Sequence, residues 1–236
     1  MGVPVLPLGR GSDLLVRDGG LRGCVLSTRR LTQLRVEGQT VTAGAGVSLA
    51  LLSRAAAEHD LGGLAFASGI PGSVGGAIKL NAGAYGGEMS QVVSLVRGYT
   101  MDGEPFELHS EAMAFRYRYS ILQSEPRLVT EVVFTLPAGD RDALLAEMAE
   151  LNRRRREKQP LDVPSAGSTF RRPPEGYASA MIDACGLKGY RVGGAAVSEK
   201  HAGFCVNLGG TSRDFLRLMS DVQARVRERF GVTLEP

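Results

Sequence analysis

The sequence predicts an α+β chain in two parts, with strands dominating the first part and helices the second. Three observations carry this. Residues 3–44 hold short apolar runs separated by turn residues, the pattern of strands and hairpins. Residues 69–87 are dense in glycine, which points to close backbone approach rather than to side chains. Beyond Pro137 the apolar residues recur at helical spacing, so a boundary is expected near residues 137–140, dividing the chain into domains 1–138 and 139–236.

The elements follow in order. VPVLPL from Val3 reads as a strand, followed by the turn GRGSD, the strand LLV at 14–16, the turn DGG and the strand CVLS at 24–27. LRVEGQTVTAG, residues 34–44, alternates around Glu37 and Gly38 and reads as a hairpin. Ser48 can cap a helix through Leu51, Leu52 and Ala55 that stops before Gly62. VVSLVRGYT and PFELHS flank a turn at 101–104, and LVTEVVFTL at 128–136 closes the first part. The second part begins with a helix over 140–157, with acidic residues in its first turn and Leu144, Met148 and Leu151 on one face. A Pro/Ser/Gly loop covers 160–174, and a short helix around Met181 ends at Gly186. In the last helix Thr211 and Asp214 can form a capping box, Phe215, Leu218, Val222 and Val226 share a face, and Gly231 is the stop.

The glycine segment reads GIPGSVGGAIKLNAGAYGG, seven glycines in nineteen positions. It has neither the Lys-Ser/Thr of a Walker loop nor a regular G-x-G-x-x-G opening a helix. Two readings stay open on these residues alone: main-chain amides presented to a bulky anionic cofactor, or a structural turn.

Composition narrows the class. At 236 residues with 43% hydrophobic and 22% charged content, the chain is an ordinary globular protein, and a net charge of +3 is too weak to imply nucleic acid. The basic run at 153–158 ends a helix, where cations complement the macrodipole, and no tryptophan is present to stack on bases. Neither a membrane span nor a signal peptide is expected, which predicts a cytoplasmic protein. Cys24, Cys185 and Cys205 are odd in number and far apart, so each reads as a small buried hydrophobe, with no disulfide framework and no metal site expected.

Three blocks in order carry a resemblance: LGRGSDLLVRDGGLRG at 8–23, SGIPGSVGGAIKLNAGAYGGE at 68–88 and SAGSTFRRP at 165–173. FRYRYS at 115–120, GLKGYRVGGAAVSEKHAGFCVN at 186–207 and the terminal FGVTLEP accompany them. Over nearly its whole length the chain resembles the UDP-N-acetylenolpyruvoylglucosamine reductase family. Its length, and the lack of a tyrosine-bearing insertion before the 140–157 helix, match the shorter subtype. The resemblance implies an FAD-binding domain of the vanillyl-alcohol-oxidase type, lacking most of its first subdomain, followed by an α+β substrate-binding domain. It implies a monomer holding FAD non-covalently and taking hydride from NADPH. Flavin N5 would then pass the hydride to UDP-N-acetylglucosamine enolpyruvate, making UDP-N-acetylmuramate for peptidoglycan.

Carried over residue by residue, Gly9, Arg10, Gly11, Ser12 and Asp13 match the first flavin loop, where relatives usually have Asn in place of Asp13. A carboxylate beside a diphosphate weakens binding unless it turns away or is paired. Gly72, Ser73, Gly75 and Gly76 match the second loop, and Asn81, Ala82 and Gly83 pass near the isoalloxazine. Hydride addition leaves enolate charge beside a carboxylate, so a cation and a proton donor are needed; Arg118 matches the first and Ser168 the second. Lys158, Arg172, Lys188 and His201 match contacts to the UDP-sugar. Against the family pattern, the chain starts where relatives reach their first flavin loop and stops at Pro236, before the family's catalytic glutamate. Glu235 is not assigned that role, and truncation at both ends is expected, with exposed edge and apolar surface at the first strands. A non-catalytic FAD or UDP-sugar binding protein is the alternative; a different flavin oxidase is disfavoured because the substrate-domain blocks match the reductase.

Overall fold

The computed structural model describes residues 2–236 and divides into two compact units, residues 2–12 with 22–153, and residues 13–21 with 154–236. In the first unit β1 (Val5–Leu8) and β2 (Cys24–Ser27) form a parallel pair whose Val5, Val25 and Leu26 are exposed. The predicted hairpin is β3 (Leu34–Glu37) and β4 (Thr40–Gly44), turning at Gly38 with φ +58°. The capped helix is α1 (Leu49–Glu58), with Ser48 Oγ accepting from Leu51 N. Within the glycine segment lie α2 (Val74–Lys79) and a small antiparallel pair, β5 (Gly83–Ala84) with β6 (Gly87–Glu88), where the sequence suggested only loop. β7 (Val93–Thr100), β8 (Pro105–His109) and β9 (Arg127–Thr135) complete a five-stranded antiparallel sheet in the order β3-β4-β9-β7-β8.

A bulge shapes this sheet. Arg97 pairs with Glu131 and Gly98 with Val129, so Thr130 is the extra residue, and Val129 and Val132 both reach the core although they are three apart. Glycine is required at position 98 because a Cβ there would overlap Leu128 O. The core joins Val41, Val96, Val132 and Phe134 of the sheet to Leu49 and Leu52 of α1 and Val74 and Ile78 of α2.

The helix α3 (Arg141–Lys158) runs as predicted, but Leu144, Met148 and Leu151 are only half-buried and none of its residues is buried. In the second unit β10 (Ser165–Ser168) occupies the predicted Pro/Ser/Gly loop, followed by α4 (Ala178–Ala184), β11 (Arg191–Val192), β12 (Ala195–Val197) and β13 (Phe204–Asn207). The strands form an antiparallel sheet in the order β10-β13-β12-β11. The last helix, α5 (Ser212–Phe230), has both halves of the Thr211–Asp214 capping box, buries Phe215, Leu218, Val222 and Val226, and ends at Gly231 with φ +70°.

Two expectations are corrected. Residues 14–16 form no strand: the segment 13–21 belongs to the second unit and is tied to the start of α5, Asp18 N donating to Ser212 Oγ (2.8 Å) and Ser212 N to Asp18 Oδ1 (3.0 Å). The Ser212 backbone N–H, then its hydroxyl, hold the Asp18 carboxyl below its ordinary pKa. Of the cysteines only Cys205 is a buried hydrophobe, its thiol pushed up by burial, while Cys185 is half-buried and Cys24 is exposed on the uncovered β2.

The last helix anchors the second core, so Leu218→Ala, at a position with no exposure, should destabilise the protein by about 3 kcal/mol. Thr211→Ala, which removes one arm of the capping box, should cost about 1 kcal/mol. Urea unfolding followed by circular dichroism reads both; equal small effects would mean that the helix is not part of that core.

Candidate functional site

In the first unit three segments meet around α2. Val74 N donates to Val47 O and Gly75 N to Ala45 O, each at 2.9 Å, so the start of the helix is seated on the backbone after β4. A Cβ on Gly75 would lie 3.0 Å from Ala45 Cβ, which is why that position is glycine. Ser73, just before the helix, is buried at 3% exposure and its Oγ has no hydrogen-bond partner among the described residues. Gly9 lies directly against it: a Cβ at Gly9 would overlap Ser73 Oγ. Nearby, Ser12 Oγ donates to Pro71 O (3.0 Å), and Gly11 and Gly72 both have positive φ, +71° and +143°. Gly9, Gly11, Ser12, Gly72, Ser73, Gly75 and Gly76 are thus brought together. A buried hydroxyl without a partner beside a position where no side chain fits is a group that an incoming anionic oxygen would satisfy. Arg10 is exposed in the same loop, and Asp13 lies in the second unit.

At its other end α2 leads to Asn81, fully buried with φ +43°. Its Nδ2 donates to Arg116 O (3.2 Å) and its Oδ1 accepts from Ser90 N (2.9 Å), so the side chain braces the fold. Ala82 and Gly83 follow, both half-buried, with Gly83 packed so closely on β6 that a Cβ would lie 2.6 Å from Gly87 O.

Arg118 sits in the tight turn formed by Arg116 and Tyr119, whose backbones exchange hydrogen bonds of 3.1 and 3.0 Å. Its own φ is +54°, a conformation costing on the order of 1–3 kcal/mol for a residue with a side chain and kept only where the surroundings impose it. The guanidinium donates from Nη2 to Gly83 O (2.9 Å) and lies 5.1 Å from the centre of the Tyr117 ring. The Gln123 side chain, on which sequence reasoning was silent, donates to Arg118 O (2.9 Å) and to Lys79 O (3.1 Å).

In the second unit Ser168 is exposed at the end of β10, opposite Phe204, beyond a register irregularity in which Gly167 takes φ +66°. Thr169 N donates to Gly203 O (2.9 Å), and Thr169 Oγ1 accepts from Cys205 N (3.2 Å), fixing the strand end against residues 203–205. That neighbourhood holds His201, whose Nδ1 accepts from Gly203 N (3.1 Å), so the neutral ring carries its proton on Nε2 as a donor. Burial, then the charges of Lys188 and Lys158, hold the His201 pKa below its ordinary 6.5, with only its own backbone contact opposing. Lys158, Lys188 and His201 therefore share one electrostatic neighbourhood, Lys188 being paired with Asp183 at 2.8 Å. Arg172 stacks over the exposed Tyr177 ring at 4.2 Å.

A family model described as UDP-N-acetylenolpyruvoylglucosamine reductase, C-terminal domain, matches residues 159–236, and one described as FAD binding domain matches residues 1–109. The chain is similar to the UDP-N-acetylenolpyruvoylglucosamine reductase of Limosilactobacillus fermentum, 48% identical over 235 residues that cover 99% of this chain and 78% of the relative. It is equally similar to that of Caldanaerobacter subterraneus subsp. tengcongensis, 48% identical with the same coverage. Among solved structures it matches the UDP-N-acetylenolpyruvylglucosamine reductase (MurB) of Thermus caldophilus, with a TM-score of 0.85 and 37% identity, covering 98% of this chain and 84% of that one.

The electrostatics around His201 are directly testable. Its ring resonances should titrate below 6.5, and Lys188→Met or Lys158→Met should move the midpoint upward. Because the unfolded chain binds this proton at higher pH than the folded one, stability is full above 6.5 and declines as pH falls from there toward the depressed value. A midpoint unmoved by both substitutions would place the lysines away from the ring.

Proposed function

This chain belongs to the UDP-N-acetylenolpyruvoylglucosamine reductase family, and from that membership we propose that it reduces UDP-N-acetylglucosamine enolpyruvate to UDP-N-acetylmuramate with FAD and NADPH in peptidoglycan synthesis. The observation that carries the reading is Arg118, whose guanidinium is held in place from a backbone conformation that the fold must impose. Flavin binding falls to residues 1–138 and substrate binding to 139–236, in keeping with the FAD binding and reductase C-terminal models that match within those limits.

The Ser73 Oγ against Gly9 supports diphosphate binding by Gly9, Arg10, Gly11 and Ser12 on one loop and Gly72, Ser73, Gly75 and Gly76 on the other, while Asp13, a carboxylate in the second unit, is left out of that set. Ala82 and Gly83 would border the isoalloxazine, Asn81 serving through its backbone while its side chain braces Arg116. When bound, FAD supplies hydride transfer, from NADPH to the terminal carbon of the enolpyruvyl group. Arg118 then meets the negative charge that spreads onto the carboxylate side of that group, a role in which one fixed donor is commonly worth roughly a hundred- to a thousandfold in rate. Ser168 gives its hydroxyl proton to the adjacent carbon. A serine hydroxyl is a weak acid, so the step requires the enolate's basicity and a neighbouring donor.

Lys158 and Lys188 suit the diphosphate of the UDP-sugar as cations, His201 adds a neutral Nε2 donor, and Arg172 presents a guanidinium braced by Tyr177. A nucleotide-sugar substrate and a nicotinamide donor fit a cytoplasmic protein, which we take to act as a monomer. No helix among the described residues is long and apolar enough to cross a membrane.

An anaerobic absorbance titration tests the reading: FAD bound to the protein should bleach with NADPH and recover on adding the enolpyruvyl sugar. Failure to recover would exclude the reductase. Ser168→Ala should leave bleaching intact and slow recovery by about a hundredfold or more, and equal loss of both phases would remove it as proton donor. Arg118→Ala should show the same asymmetry, and unchanged recovery would take it out of the mechanism.

A further inference from the structure

We infer that Gln123 is a positioning residue for Arg118, holding the turn peptide in the conformation that aims the guanidinium. The inference rests on the reading of Arg118 given above. Arginine has no intrinsic preference for positive φ, so at +54° the residue would relax to the ordinary region, and its side chain would swing with it, unless its peptide were held. The hydrogen bonds that close the turn join Arg116 to Tyr119 and do not touch the Arg118 carbonyl. Gln123 does: its Nε2 donates to Arg118 O at 2.9 Å, and also to Lys79 O at 3.1 Å. One amide thereby ties the arginine's backbone to the last turn of α2.

Two further bonds make this a clamp. Ser120, fully buried, donates from Oγ to the same Lys79 O (2.9 Å), and Asn81 Nδ2 holds Arg116 O from the other side of the turn. Gly83 O holds the far end of the arginine at Nη2. Arg118 is therefore fixed at its carbonyl by Gln123 and at its tip by Gly83, with both supports running back to α2 and the strand that follows it. Ser120 and Asn81 support the turn as a whole, whereas Gln123 alone among these three bonds the Arg118 peptide.

The test uses the flavin-loaded protein and rapid anaerobic mixing. Gln123→Met keeps the length and breadth of the side chain and removes both donors. Bleaching by NADPH should be unchanged and recovery on the enolpyruvyl sugar slowed by roughly tenfold or more, since a misplacement of about 1 Å can cost about a hundredfold. In an Arg118→Ala background the same substitution should slow recovery no further. Equal slowing of both phases, or the same factor with and without Arg118, would make Gln123 merely structural and overturn the inference. Normal recovery in Gln123→Met alongside slow recovery in Arg118→Ala would overturn it while leaving the reading of Arg118 intact. Normal recovery in Arg118→Ala would instead remove the reading on which it rests. Should Gln123→Met lose flavin, Gln123→Glu decides: an ionised carboxylate cannot donate, but a protonated one can, so recovery should speed up as pH is lowered relative to the parent protein. Absence of that acid rescue would overturn the inference.

Discussion

The seat of α2 on the backbone after β4 is the constraint on which the first unit's site depends. Two hydrogen bonds, Val74 N to Val47 O and Gly75 N to Ala45 O, can form only because Gly75 lets the helix press against Ala45. Ala45 is itself tied to the sheet through its N–H, which donates to Thr130 O (2.9 Å). Thr130 is the bulged residue of β9. The irregularity that brings both Val129 and Val132 into the core thus frees the carbonyl that anchors the helix seat. From this seat the two ends of one short helix set different things: Ser73 beneath Gly9 at its start, and the acceptors and braces of the Arg118 turn at its finish.

How much of this could be read in the sequence depended on whether an element's signal was local. The hairpin at 34–44 and the helix α5 were readable because alternation, capping residues and a terminal glycine sit within a few positions of one another. α2 was hidden because its six residues include two glycines, poor helix formers, of which Gly75 is there for contact with Ala45 rather than for propensity. β10 was hidden for a related reason: SAGS has no alternating apolar residues, and the strand exists because β13 pairs with it. The strand suggested at 14–16 failed in the opposite way, apolar in composition but committed to the second unit through Asp18 and Ser212.

Site residues divide along the same line. Glycines and the serine of the phosphate-type loops stand out by composition, and Arg118 and Ser168 by resemblance. Gln123 gives no such signal, because a glutamine five residues after an arginine is unremarked until the chain folds and its amide meets two carbonyls. Asn81 shows the converse: expected beside a cofactor, its side chain is spent on Arg116 and Ser90. A buried amide with two directional ends suits a brace better than a contact to a planar ring.

The manner in which Arg118 is held matters for chemistry as well as for shape. Arg97, on the exposed side of the sheet, lies between Glu107 and Glu131, at 2.6 and 3.0 Å, so its charge is offset by carboxylates. Among the described residues the groups that hold Arg118 are a carbonyl oxygen and an aromatic ring, which orient the guanidinium without cancelling its charge. A carboxylate in either place would compete with an enolate for the same donors and would weaken the stabilisation as charge develops. Neutral supports leave the full positive charge available, at the cost of contributing less attraction of their own; the residue's unfavourable φ must then be held by hydrogen bonds to its backbone, which is the part Gln123 supplies.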